Sequence, residues 1–175
     1  MIEDFAHRLT LDRIRDGERI DLVADEAEKD RIATRLGLDG LNRLEAHATL
    51  HREGERIRAT GRIAGTLRQR CVATGEPVSA SVDEPFEILF TPEPKVEEDF
   101  EVELGAQDCD MVFHDGASID LGAAIADTLA LCLDPYPRSP GAEAVLKGAG
   151  VLSEEEAGPF AALSALKRQM SGDDS

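Results

Sequence analysis

A chain of 175 residues with 42% hydrophobic and 31% charged residues has ordinary globular composition. At this length it can bury roughly 70% of its unfolded surface, so neither disulfides nor metals are needed to hold a core. The formal net charge of −17 argues against a simple nucleic-acid binder, and no stretch approaches the roughly 18 apolar residues of a membrane span.

Residues 6–14 alternate Leu9 and Leu11 with Arg8, Thr10 and Asp12, which predicts a strand. Asp16-Gly17 marks a turn before a second strand over 20–24. A helix of about three turns follows, with Asp25 as N-cap, Glu28 three residues on, apolar Ala27, Ile32 and Leu36, and Gly37 as the stop. From Leu44 the period is two: Leu44, Ala46, Ala48 and Leu50 share one face, while Glu45, His47, Thr49 and His51 share the other. After a turn at 52–55, Ile57, Ala59, Gly61 and Ile63 face inward and Arg56, Arg58, Thr60 and Arg62 outward, which completes a β-hairpin.

Strands are predicted over 67–72, 78–82 and 86–90, separated by the turn 73–77 and by Pro85. An exposed loop over 91–99 leads to a further strand at 100–104. Asp120 caps an apolar helix from Leu121 to about Leu133, which Pro135, Pro137 and Pro140 prevent from continuing. Beyond it come a short helix at 142–147, a capping-box pattern at 153–156, and a last helix begun by Pro159 and carrying Phe160, Leu163 and Leu166. These elements predict an α+β fold: a mainly antiparallel β-sheet curling toward a barrel, with a few packed helices. Residues 1–140 form one domain and 141–175 a partly flexible C-terminal helical arm.

The start of the sequence has neither the basic residues nor the apolar run of a secretory signal. Cys71, Cys109 and Cys132 are too scattered for a disulfide framework or a CxxC metal clip. A reduced, cytoplasmic setting is expected.

Cys109, His114 and Asp115 stand close in sequence, yet nothing in their spacing supplies the base and oxyanion site that a thiol nucleophile needs. The thiol reads as buried and the rest as a surface turn. His47 and His51 face outward with no third ligand near, and read as surface histidines. No catalytic residue, metal site or cofactor is expected.

Charge is divided between the two halves. Residues 1–70 hold 14 basic and 14 acidic residues, whereas residues 71–175 hold 5 basic and 22 acidic, which accounts for the whole net charge. Arg52, Arg56, Arg58, Arg62, Arg68 and Arg70 fall within nineteen residues against only Glu53 and Glu55. Alternation puts Arg56, Arg58 and Arg62 on one face, where guanidinium groups suit phosphates. The rival reading pairs these arginines with the chain's own acidic half. No outward aromatic is placed beside them, so stacking of unpaired bases is not expected. Glu93, Glu97, Glu98, Asp99, Glu101 and Glu103 form a candidate acidic face for a basic protein partner.

In order along the chain, several segments resemble the YceD-like family, the large ribosomal RNA subunit accumulation proteins. They are Arg70-Cys71-Val72-Ala73-Thr74-Gly75-Glu76-Pro77-Val78, then Asp115-Gly116-Ala117-Ser118-Ile119-Asp120-Leu121, then Leu133-Asp134-Pro135-Tyr136-Pro137. The closing Pro159-Phe160-Ala161-Ala162-Leu163 is similar to the end of alphaproteobacterial members. The resemblance implies a non-enzymatic ribosome-biogenesis factor that supports synthesis, processing or stability of large-subunit ribosomal RNA. Its partner would be that RNA or a pre-ribosomal particle, and the alternative is an acidic escort of a basic ribosomal protein that makes no RNA contact. Many members carry a CxxC and later cysteines that could bind zinc. Here Arg68 stands three residues before Cys71 and no cysteine follows Cys132, so no zinc site is expected.

Overall fold

A computed structural model describes residues 5–93 and 110–151. The strand expected at 100–104 and the final helix lie outside them. The chain groups into two compact units, one of Met1–Gln69 with Pro77–Pro135, the other of Arg70–Glu76 with Tyr136–Ser175.

The first unit is an α+β layer structure. Strands β1 (Arg8–Thr10), β2 (Glu18–Val23), β3 (Gly40–Glu53), β4 (Arg56–Arg70), β5 (Pro77–Pro92), β6 (Asp110–His114) and β7 (Ser118–Asp120) are joined by helices α1 (Glu26–Leu36) and α2 (Leu121–Cys132). A five-stranded sheet runs in the order β2-β3-β4-β5-β6, and β1 pairs separately with β7. Among the described residues the sheet does not close into the expected barrel, and β2 and β6 are its outer strands. One pair departs from the antiparallel pattern, since β6 runs parallel to β5 from Ile88↔Asp110 to Pro92↔His114.

Local signals at the helix starts act as expected. Asp25 caps α1 by accepting the Glu28 N–H at 2.8 Å, and Glu28 accepts the Asp25 N–H at 2.8 Å, which completes a capping box. Gly37 ends the helix at φ 64°, a left-handed position that other residues enter with strain. Asp120 accepts the Ala123 N–H at 3.0 Å at the start of α2 and also the His7 N–H at 3.2 Å, so one carboxylate fastens the N-terminal segment to a helix more than 100 residues away.

The strands are longer than the sequence suggested. Strand β5 runs through Pro85, because β6 pairs only with its second half and among the described residues no strand flanks that side of Pro85. Near Leu41 a register shift lets Asn42 and Arg43 both face outward before alternation resumes at Leu44. Inward residues of β3, β4 and β5, among them Leu44, Leu50, Ile57, Ile63, Ile88 and Phe90, meet Ile32 of α1 and Leu121, Ile125 and Leu129 of α2 in one core. Each such fully buried side chain contributes about 1.5–3 kcal/mol of transfer free energy. At Gly65 the sheet surface admits Leu129, whose Cδ1 lies 3.9 Å from where a Cβ would stand.

The second unit is built around the turn at 70–76. The Cys71 N–H donates to the Glu76 carbonyl at 2.8 Å and the Val72 N–H to the Pro137 carbonyl at 2.9 Å, and helix α3 (Ala142–Gly148) follows.

Candidate nucleic-acid interface

The hairpin β3–β4 positions the arginines. Its register pairs His51 with Arg58, Thr49 with Thr60 and His47 with Arg62, so these side chains share the face opposite the core. Arg56 and Arg62 are exposed and Arg58 half-buried, while Ile57, Ala59 and Ile63 between them are buried. The face expected from alternation is therefore present.

Two of its arginines are already paired within the chain. Arg62 Nε donates to Asp83 at 2.6 Å and its Nη2 to the Asp83 carbonyl at 3.1 Å, while Arg58 forms an ion pair with Glu87. The bond to Asp83 raises the pKa of Arg62, and the same bond holds the Asp83 carboxyl below the usual carboxylate range. Both acidic partners come from the acidic half, as the rival reading had it.

The remaining arginines of the cluster go elsewhere. Arg52 points its guanidinium at backbone, donating to the carbonyls of Leu11, of Ile14 at 3.3 Å and of Gly54 at 3.1 Å. It pins the loop before β2 to the end of the hairpin. Parity shows why, since residue 52 continues the inward set of Leu44, Ala46, Ala48 and Leu50. Arg68 is exposed and lies over Gly40, and Arg70, also exposed, is the last residue of β4 and groups with the second unit.

His47 extends the face across β3. Its Nδ1 lies 2.7 Å from the Asp21 carboxylate, and that hydrogen bond raises the imidazole pKa above its ordinary value. A raised value means that the contact stabilises the fold fully below the unfolded histidine pKa of ~6.5, and that this is lost as pH rises through the folded value. An NMR titration should place His47 above an ordinary histidine and Asp21→Asn should bring it down. An unchanged midpoint in that variant would show that the pair does not form in solution.

The other candidates resolve into structure. His114 is buried with both ring nitrogens engaged: Nδ1 accepts the Gly116 N–H at 3.0 Å, so Nε2 carries the proton and donates to the Glu55 carbonyl at 2.9 Å. It has no lone pair free for a base, and Cys109 lies outside the described residues. Of the acidic face only Glu93 is described, exposed; Glu97, Glu98, Asp99, Glu101 and Glu103 lie outside.

Cys71 is buried in the second unit, where burial would raise its pKa. Hydrogen bonds from Ser139 and from Thr74, whose N–H lies 3.4 Å from Sγ, outweigh that and bring it down to about 6. The hydroxyls of Thr74 and Ser139 are bonded to each other at 3.1 Å. One thiol with two hydroxyls is not the donor set that holds zinc. Among the described residues no group of three His, Cys, Asp or Glu side chains is placed to hold a metal ion.

A family model described as large ribosomal RNA subunit accumulation protein YceD matches residues 59–167, well over half of the sequence. The chain belongs to the YceD family. Its match begins within β4, so Arg62 lies inside it and Arg56 and Arg58 just before it. Comparison with curated proteins and with solved structures returned no match. Membership connects this YceD chain to ribosome biogenesis through the accumulation of large-subunit ribosomal RNA, a role described without reference to a catalysed reaction. Among the described residues no helix is long and apolar enough to cross a membrane.

Proposed function

We propose that this YceD chain supports ribosomal RNA accumulation by binding large-subunit RNA, free or within a precursor particle, through the open sheet face centred on Arg56, Arg58 and Arg62. The observation that carries the reading is the placement of three arginines at outward positions of the central strand, opposite a helix-covered core. Their ion pairs with Asp83 and Glu87 do not oppose it. The Arg62–Asp83 pair is solvent-exposed, and such pairs contribute only ~0–1 kcal/mol, so that guanidinium can exchange a carboxylate for a phosphate at small cost; the Arg58–Glu87 pair is half-buried and exchanges less readily. Until then the pairs hold the side chains extended and balance their charge.

Sedimentation of lysate at low salt should carry the protein into fractions containing large-subunit precursors, and treatment with ribonuclease should return it to the top of the gradient. A protein found only at the top, with ribosomal RNA unchanged on depletion, would contradict the proposal. Retention on a basic ribosomal protein after ribonuclease treatment would favour the escort alternative, to which the acidic residues of 71–175 are suited.

A further inference from the structure

The face that carries the arginines also carries an apolar patch at the β6 edge. Met111 and Phe113 are 47% and 53% exposed, whereas Val112 between them packs against the core. The expectation that no aromatic faces outward beside the arginines is thus corrected: residues 110–114 form a strand, and its alternation turns Phe113 out. In the parallel register Leu89 pairs with Met111 and Thr91 with Phe113, so half-buried Leu89 lies on the same side. The His114 bond to the Glu55 carbonyl at 2.9 Å ties the end of β6 to the turn between β3 and β4. Arg58 meets Glu87 and Arg62 meets Asp83, four residues apart on each strand and in opposite directions. Continuing that spacing sets Arg56 opposite Leu89, which gives a row Arg56, Leu89, Met111 with Phe113 one step beyond.

Resting on the reading above, we propose that this row selects an unpaired stretch of RNA, with one base stacked on the Phe113 ring, a second against Met111 and Leu89, and the phosphate on the far side of the second base at Arg56. The reading above makes the occupant anionic, and Arg56, exposed beside Leu89 with Glu53 as its cross-strand neighbour, is the arginine nearest the patch. It must also present flat apolar surface, because Phe113 and Met111 offer no hydrogen bond. An unpaired nucleotide meets both conditions. A duplex meets only the first, since its base faces are stacked on one another and its outer surface is phosphate and sugar.

The test compares Phe113→Ala with the unaltered protein on a single-stranded RNA of about ten nucleotides and on a fully paired hairpin. Affinity for the single strand should fall about 10-fold, the scale of one lost base stack, with the hairpin unaffected and with Phe113→Trp restoring binding. The exposed position leaves the melting temperature unchanged, which is checked in parallel. Equal binding of the single strand by Phe113→Ala would overturn the proposal. If Arg56→Gln/Arg58→Gln/Arg62→Gln then still weakened both RNAs, the broader reading would stand without the stacking step. If that variant also bound as the unaltered protein does, both would fail. Loss of a captured protein rather than RNA from Phe113→Ala would equally overturn it.

Discussion

Gly61→Ala should lower the melting temperature by about 10 °C, the largest effect expected of a methyl group added at any described glycine. A Cβ at Gly61 would fall inside the van der Waals envelope of the His47 carbonyl oxygen, 2.9 Å from the His47 carbonyl carbon and 3.0 Å from the Ala48 Cα. All three neighbours are backbone. A side chain in the way could rotate aside, but here β3 must move from β4 in the middle of the hairpin, at the pair Ala48↔Gly61. Overpacking of this kind costs about 3 kcal/mol, the upper part of its usual range, and each kcal/mol shifts the midpoint by ~2–4 °C in a domain of this size. Gly141→Ala is the control, since its φ of −85° suits any residue and nothing lies within 4 Å of the added atom. It should melt within about 1–2 °C of the parent. Equal midpoints for the two variants would show that β3 and β4 do not approach as closely as described.

Much of this architecture was legible because it is written in local signals. The period-two stretches from Leu44 to Leu50 and from Ile57 to Ile63 defined the hairpin, and Asp25 and Asp120 announced their helices through capping chemistry. What stayed hidden depends on distant partners. Nothing near Arg8–Thr10 reports that it pairs with Ser118–Asp120, and nothing near 110–114 reports a parallel edge strand. Pro85 suggested a break because a proline is excluded only from strands paired on both sides, a fact that depends on where β6 ends.

The candidate site shows the same division. Arg56, Arg58 and Arg62 were found by alternation. Arg52 is close to them in sequence, but its inward parity sets it apart. The ion pairs to Asp83 and Glu87 required the position of β5, and Phe113 required β6. In the sequence the alternation of Met111, Val112 and Phe113 is only three residues long and lies beside Cys109, His114 and Asp115, whose chemistry is the stronger local signal.

Reversing the arginine face should have the largest effect on binding. Each phosphate contact to a single strand contributes about 0.7 to the slope of log affinity against log salt, so three contacts contribute about 2. At ~0.1 M salt that is a gain of about 100-fold relative to a protein lacking them. Arg56→Glu/Arg58→Glu/Arg62→Glu removes the contacts and adds repulsion, and its loss should be at least that large. Glutamates at 58 and 62 would also stand opposite Glu87 and Asp83. The glutamine triple variant avoids that conflict and separates weakened binding from weakened folding.

The most direct measurement is therefore the affinity of the glutamine triple variant for a large-subunit ribosomal RNA fragment across a salt series, with melting temperature followed alongside. An arginine face that binds RNA gives an intact fold, affinity reduced about 100-fold near ~0.1 M salt, and a slope smaller by about 2. An intact fold with the affinity and slope of the unaltered protein would contradict it.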